Sequence, residues 1–175
     1  MATRQPDDPV HAPRVPVSLA LALALVSAAA SGADEARSDL AQPDRFRCVG
    51  RNHFSGAIDT PIEKHTDSDT WTYAAYFVDP VKGTPTIVYG PGFRAVGPLM
   101  QAFIRRHECQ HANGVRDEIA ANCAALEQMR SQGLTKQQEA QLERWHLAQG
   151  RLDPAYGGSG TAFWERTVRC AASAR

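Results

Sequence analysis

The chain has 175 residues, and its 19 lysines and arginines balance 19 aspartates and glutamates, so the formal net charge is zero. That balance excludes a broad basic surface and, with it, nucleic acid as an expected partner. The length suits a single domain.

Arg4 and Arg14 precede an apolar run from Val15 to Val26, and small residues follow it. Small-x-small sites end at Ala30 and at Ala33. That is the layout of a secretory signal peptide over residues 1–33, leaving a domain over 34–175. The apolar run is short for a permanent anchor, so no stable membrane span is expected after its removal. Ala33 to Gln42 is polar and reads as a loose leader. Arg45 to Val49 reads as a short strand carrying Cys48, and 52–69 as a loop without apolar period. Trp71 to Val78 is aromatic and β-branched, a strand pattern. Asp79-Pro80-Val81-Lys82-Gly83 turns the chain, and Thr86 to Tyr89 returns as a second strand, which predicts a hairpin. Pro85 at its start favours an edge position.

Gly90-Pro91-Gly92 breaks that strand, and Gly97-Pro98 opens a helix with proline in its first turn. Leu99, Met100, Phe103, Ile104, His107 and His111 then follow three- and four-residue spacing. Gly114 is placed to end that helix. A second helix is predicted from Asp117 to about Arg130, with Ile119, Cys123 and Leu126 on one stripe. Thr135 and Gln138 form the pattern of a capping box for a third, which carries Leu142, Trp145 and His146. Gly157 to Gly160 reads as a flexible joint before a last helix from about Thr161 to Ala172, with Phe163, Trp164, Val168 and Cys170.

The chemistry concentrates in Arg106-His107-Glu108-Cys109-Gln110-His111, which contains a complete His-Glu-x-x-His pattern. On a helix the two histidines point the same way and can hold one metal ion. Glu108 lies about 100° around the helix from His107, where it can serve a water as general base. Catalytic zinc usually takes three protein ligands, and Glu118, early in the next helix, is the best third. The seven-residue separation from His111 to Glu118 reaches at most about 23 Å when extended, so the chain can double back. Asp117 and His146 are the fallback ligands. Asn122, one turn beyond Glu118, can hydrogen-bond a ligand histidine and fix its tautomer. The expected oxyanion donor is Tyr156 or His146, with Arg166 behind them. The strand from Thr86 to Tyr89 offers an edge for an extended peptide.

Cys48, Cys109, Cys123 and Cys170 are an even set with no Cys-x-x-Cys pair, which suggests two disulfides with three possible connectivities. Cys109 sits about 200° around the helix from His107 and faces away from the metal. The preferred pairing is Cys109–Cys123, stapling neighbouring helices, and Cys48–Cys170, tying the domain ends together.

Thr86-Ile87-Val88-Tyr89-Gly90-Pro91, the His107-Glu108-Cys109-Gln110-His111 helix and Glu118-Ile119-Ala120-Ala121-Asn122-Cys123-Ala124 together resemble small exported bacterial zinc metallopeptidases of the gluzincin type. The likeness covers about residues 84 to 125 and is motif-level. It implies that His107, His111 and Glu118 bind zinc and that Glu108 is the catalytic base. The family's supporting aspartate falls on Asn122, and the cysteines of its two motifs on Cys109 and Cys123. The expected fold is α+β, a reduced zincin with a small antiparallel sheet, an active-site helix and three further helices. The expected function is hydrolysis of a peptide or protein substrate in the periplasm or outside the cell. The competing reading is an inactive zinc-binding or disulfide-stapled envelope protein that binds peptides or partners.

Overall fold

A computed structural model describes residue 40 and residues 46–68 and 72–173. The signal-peptide reading over 1–33, most of the leader and Trp71 lie outside the described residues. Strand β1 (Gly50–Arg51) pairs antiparallel with β2 (Ile58–Asp59). Strands β3 (Ile62–His65), β4 (Ala74–Val78) and β5 (Pro85–Tyr89) form a second sheet in the order β3-β5-β4. The hairpin of β4 and β5 is antiparallel, as expected, whereas β3 runs parallel to β5. The larger sheet is therefore mixed rather than antiparallel.

Two readings of this region are corrected. Thr86 to Tyr89 is the central strand and not an edge. Pro85 is tolerated because it is the first residue of the strand, where a missing ladder donor costs least. The loop read over 52–69 contains β2 and β3. All four residues of β3 are exposed, so its strand character comes from backbone pairing to β5 and leaves no buried face to write an apolar alternation. β5 shows the opposite case, with Pro85, Ile87 and Tyr89 buried in alternation. The short strand expected before Val49 begins later, at Gly50.

The helices are α1 (Pro91–Ala95), α2 (Pro98–Ala112), α3 (Glu118–Ser131), α4 (Lys136–Leu147) and α5 (Gly160–Ser173). A 3-10 turn over Pro154–Tyr156 precedes α5. α1 is an addition, a single turn where the sequence reads only a break. α4 begins with the capping box: Thr135 accepts from the Gln138 backbone and Gln138 accepts from the Thr135 backbone. The sheet packs on α2, α2 on α3, and α3 on α5. Phe103, Leu126, Met129, Leu142 and Trp164 fill the shared core. Leu40, from the segment read as a loose leader, joins that core at 1% exposure. The fold is α+β.

The cysteines pair as Cys48–Cys109 and Cys123–Cys170, which corrects the preferred pairing. The rotation that turns Cys109 away from His107 also turns it away from α3. What packs behind α2 is the segment before β1, where Cys109 Sγ lies 3.7 Å from the Val49 carbonyl oxygen. Cys123 faces α5 instead. Two disulfides indicate an oxidising, extracytoplasmic environment. Among the described residues no helix is long and apolar enough to cross a membrane.

Candidate metal centre

Helix α2 carries the histidine pair into the interior and then stops sharply. Gly114 adopts a φ of 99° just beyond the C-cap, Asn113. Its amide donates to the His111 carbonyl, and that of Val115 to Gln110. This is the Schellman arrangement, which needs a residue free of Cβ strain at that position. The reversal brings the Val115 carbonyl oxygen to 2.7 Å from His111 Nδ1. Two residues later Asp117 caps α3 by accepting from the Ala120 amide at 2.7 Å, which makes Glu118 the first residue of the helix. Asp117 is thereby occupied as a cap, and Glu118 is the acid that turns inward.

Three atoms converge there. His107 Nε2 lies 3.1 Å from Glu118 Oε2 and 3.1 Å from His111 Nε2, and His111 Nε2 lies 3.3 Å from Glu118 Oε2. Tetrahedral ligands at about 2.0–2.1 Å from a zinc-sized ion stand about 3.3–3.4 Å apart. The triangle is close to that size before any ion is added. Its electronics agree. A carbonyl oxygen has no hydrogen to give, so His111 Nδ1 must donate to Val115, which leaves a lone pair on His111 Nε2. His107 Nδ1 lies 3.1 Å from Asn122 Oδ1 and makes the same commitment. Two imidazole lone pairs and a carboxylate oxygen therefore face one point. His107, His111 and Glu118 can hold a metal ion.

The carboxylates around this point differ. Burial raises the pKa of Glu118, but in the metal-free protein hydrogen bonds and charge from His107 and His111, available when their Nε2 atoms carry hydrogen, outweigh it and hold the group at about 2. Glu108 is pushed above the ordinary glutamate value, chiefly by burial and secondarily by the Glu118 charge, against the pull of the histidines. It is 7% exposed and lines the same cleft as His107. A desolvated carboxylate beside a cation site is the environment of a general base. His111 is lowered by burial but raised on balance by Glu118, the Val115 carbonyl and Glu108. A proton on His111 competes with any metal. Metal affinity, measured by chelator competition, is therefore expected to fall as pH falls, beginning above the ordinary histidine value of 6.5. A flat affinity between about pH 8 and 6 would contradict the direct His111–Glu118 contact.

The cleft holds about 270 Å³ and is walled by Tyr73, Phe103, Trp145, Tyr156 and Phe163. Tyr156 is half-buried, and its phenol is raised to about 12 by burial and by the charges of Glu118, Glu108 and Asp153, so it keeps its proton at neutral pH. His146 also borders the cleft but offers it no hydrogen. Its Nδ1 donates to the Leu142 carbonyl at 2.8 Å, and its Nε2 lies 3.5 Å from Asn122 Nδ2. Burial lowers its pKa to about 4, so the ring is neutral. It is neither in the triangle nor a donor to the cleft. Arg166 is exposed, beside Gly157.

Sequence reasoning missed two contributors. Tyr76 on β4 stacks on the His111 ring, with centroids 6.4 Å apart. Thr167 on α5 hydrogen-bonds Asn122 at 2.9 Å. The available signal for Thr167 was a lone hydroxyl on the buried stripe of Phe163, Trp164, Thr167 and Ala171. Compared with family profiles, curated proteins and solved structures, the chain matches none.

Proposed function

We propose that this chain is a zinc-dependent peptidase of the gluzincin type, delivered to the periplasm or secreted. The observation that carries the reading is the convergence of His107 Nε2, His111 Nε2 and Glu118 Oε2 within 3.3 Å of one another. Two imidazoles and one carboxylate, with room left in a cleft, favour zinc over harder cations. A zinc ion held there supplies an acidified water and a Lewis acid for a carbonyl oxygen.

The remaining work falls to the protein's own groups. The Glu108 carboxylate takes the proton of the attacking water and passes it to the leaving amine nitrogen. The Tyr156 hydroxyl, protonated and on the cleft wall, donates to the oxygen on which charge develops. His107 and His111 keep their Nε2 lone pairs inward through the Nδ1 bonds to Asn122 and Val115. An extended substrate lies along β4, which is at the sheet edge and contributes Ala74 to the cleft.

The test is metal content measured together with hydrolysis of a mixed peptide library. Purified protein is expected to carry a single zinc ion and to cleave peptides. Chelation should abolish the cleavage and zinc should restore it. Zinc-loaded protein that cleaves no peptide would defeat the peptidase reading, and protein that takes up no divalent metal would defeat the metal centre as well.

A further inference from the structure

Asn122 meets His107, and its surroundings decide which end of the amide does so. A buried asparagine can present either its oxygen or its nitrogen to a histidine, and its neighbours decide which. Thr167 has one hydroxyl hydrogen, and the hydroxyl lies 2.8 Å from the Phe163 carbonyl oxygen, which can only accept it. Its oxygen is left to accept from Asn122 Nδ2 at 2.9 Å. His146 is committed in the same sense. Its Nδ1 donates to Leu142, so its Nε2, 3.5 Å from Asn122 Nδ2, can only accept. Both neighbours of the nitrogen end are acceptors, so the oxygen end faces His107 Nδ1 at 3.1 Å. Thr167 is 0% exposed, and Asn122 and His146 are 2% exposed, so water cannot make up for a wrong orientation. A carboxylate at this place would set acceptor against acceptor at both neighbours.

We infer that Thr167 is a positioning residue for the metal centre: by accepting from Asn122 it fixes the amide, and the amide favours the His107 tautomer with hydrogen on Nδ1, which leaves Nε2 free for a metal ion held with His111 and Glu118. The geometry continues on either side of the contact. Asn122 precedes Cys123, and Thr167 lies one helical turn before Cys170, so the Cys123–Cys170 disulfide holds α3 and α5 together beside this hydrogen bond. The inference rests on the metal-centre reading above but not on peptide hydrolysis.

The test uses full-length protein and two readouts other than activity: the nitrogen-15 chemical shifts of the His107 ring in metal-free Glu118→Ala protein in alkaline buffer, where Nε2 has no carboxylate to donate to, and the zinc affinity of protein with Glu118 intact, by chelator competition. With Thr167 in place that protein is expected to show hydrogen on Nδ1 and none on Nε2. Thr167→Val keeps the shape and removes the acceptor. It is expected to mix the two His107 tautomers and to weaken zinc binding about 10–100-fold. Thr167→Ser retains the hydroxyl and is expected to restore both. A folded Thr167→Val protein with the same single tautomer as its Thr167 parent and with wild-type zinc affinity would overturn the inference. If that variant does not fold, the spectrum with Thr167 in place decides, because hydrogen on His107 Nε2 there would overturn the inference alone. Zinc-binding wild-type protein that cleaves no peptide would defeat the peptidase reading and leave the assignment of Asn122 and Thr167 standing.

Discussion

Glu108→Gln is expected to retain zinc at the wild-type level and to lose about 10²–10⁴-fold in peptide hydrolysis. The two halves of that result have separate causes. Glu108 is not among the three converging atoms, so removing its charge leaves the triangle of His107, His111 and Glu118 in place. Glutamine keeps the shape but cannot accept a proton from water at neutral pH. The stability of the variant supplies a further check. Burial holds the folded Glu108 pKa above its unfolded value, so the unfolded chain gives up this proton more readily than the folded one. As pH rises through that range the ionised side chain favours unfolding. The metal-free variant is therefore expected to melt no lower than wild type at neutral pH, and higher if nothing else moves. Retained zinc with retained hydrolysis would remove Glu108 from the role of base.

Gly160→Ala is expected to cost stability at the upper end of about 1–3 kcal/mol, or more. Gly160 begins α5 where that helix crosses the end of α4, and a Cβ there would stand 1.9 Å from the His146 carbonyl oxygen and 2.9 Å from its carbon. Both are backbone atoms, so no rotamer change relieves the overlap and α5 must move. α5 carries Phe163 on the cleft wall and Thr167 against Asn122, so the shift should also weaken metal binding. Denaturant midpoints with disulfides intact, compared at equal slope, measure the first effect. A cost below about 0.5 kcal/mol, the range of ordinary surface changes, would show that the helices do not approach this closely.

What could be read in advance divides along a physical line. Local chemistry was legible. Proline in the first turn and glycine beyond the last bound α2, the Thr135–Gln138 pair announced α4, and Asp117 marked where α3 begins. The metal triangle followed from these boundaries, because a spacing of four on one helix and a cap one residue before Glu118 leave little freedom between them. Features created by distant partners were not legible. β3 owes its form to the backbone of β5, and none of its residues is buried to record the fact. Helical rotation gave the direction of Cys109, yet nothing local said that Cys48 lay in that direction. Thr167 meets Asn122 across 45 residues of chain, and only the packing of α5 on α3 brings them together. His146 was one of the candidate donors to the cleft; it does border the cleft, but its backbone bond to Leu142 takes its hydrogen.

The two cross-links also bear on how the molecule is made. Each joins cysteines adjacent in chain order, the first with the second and the third with the fourth, so the closed loops neither overlap nor nest. A chain threaded N-terminus first into an oxidising compartment can complete the first loop before Cys123 has emerged. The third and fourth thiols then have only each other. On the proposed export route, vectorial delivery would steer oxidation to the correct isomer with little need for reshuffling, an advantage that refolding from the fully reduced, full-length chain would lack.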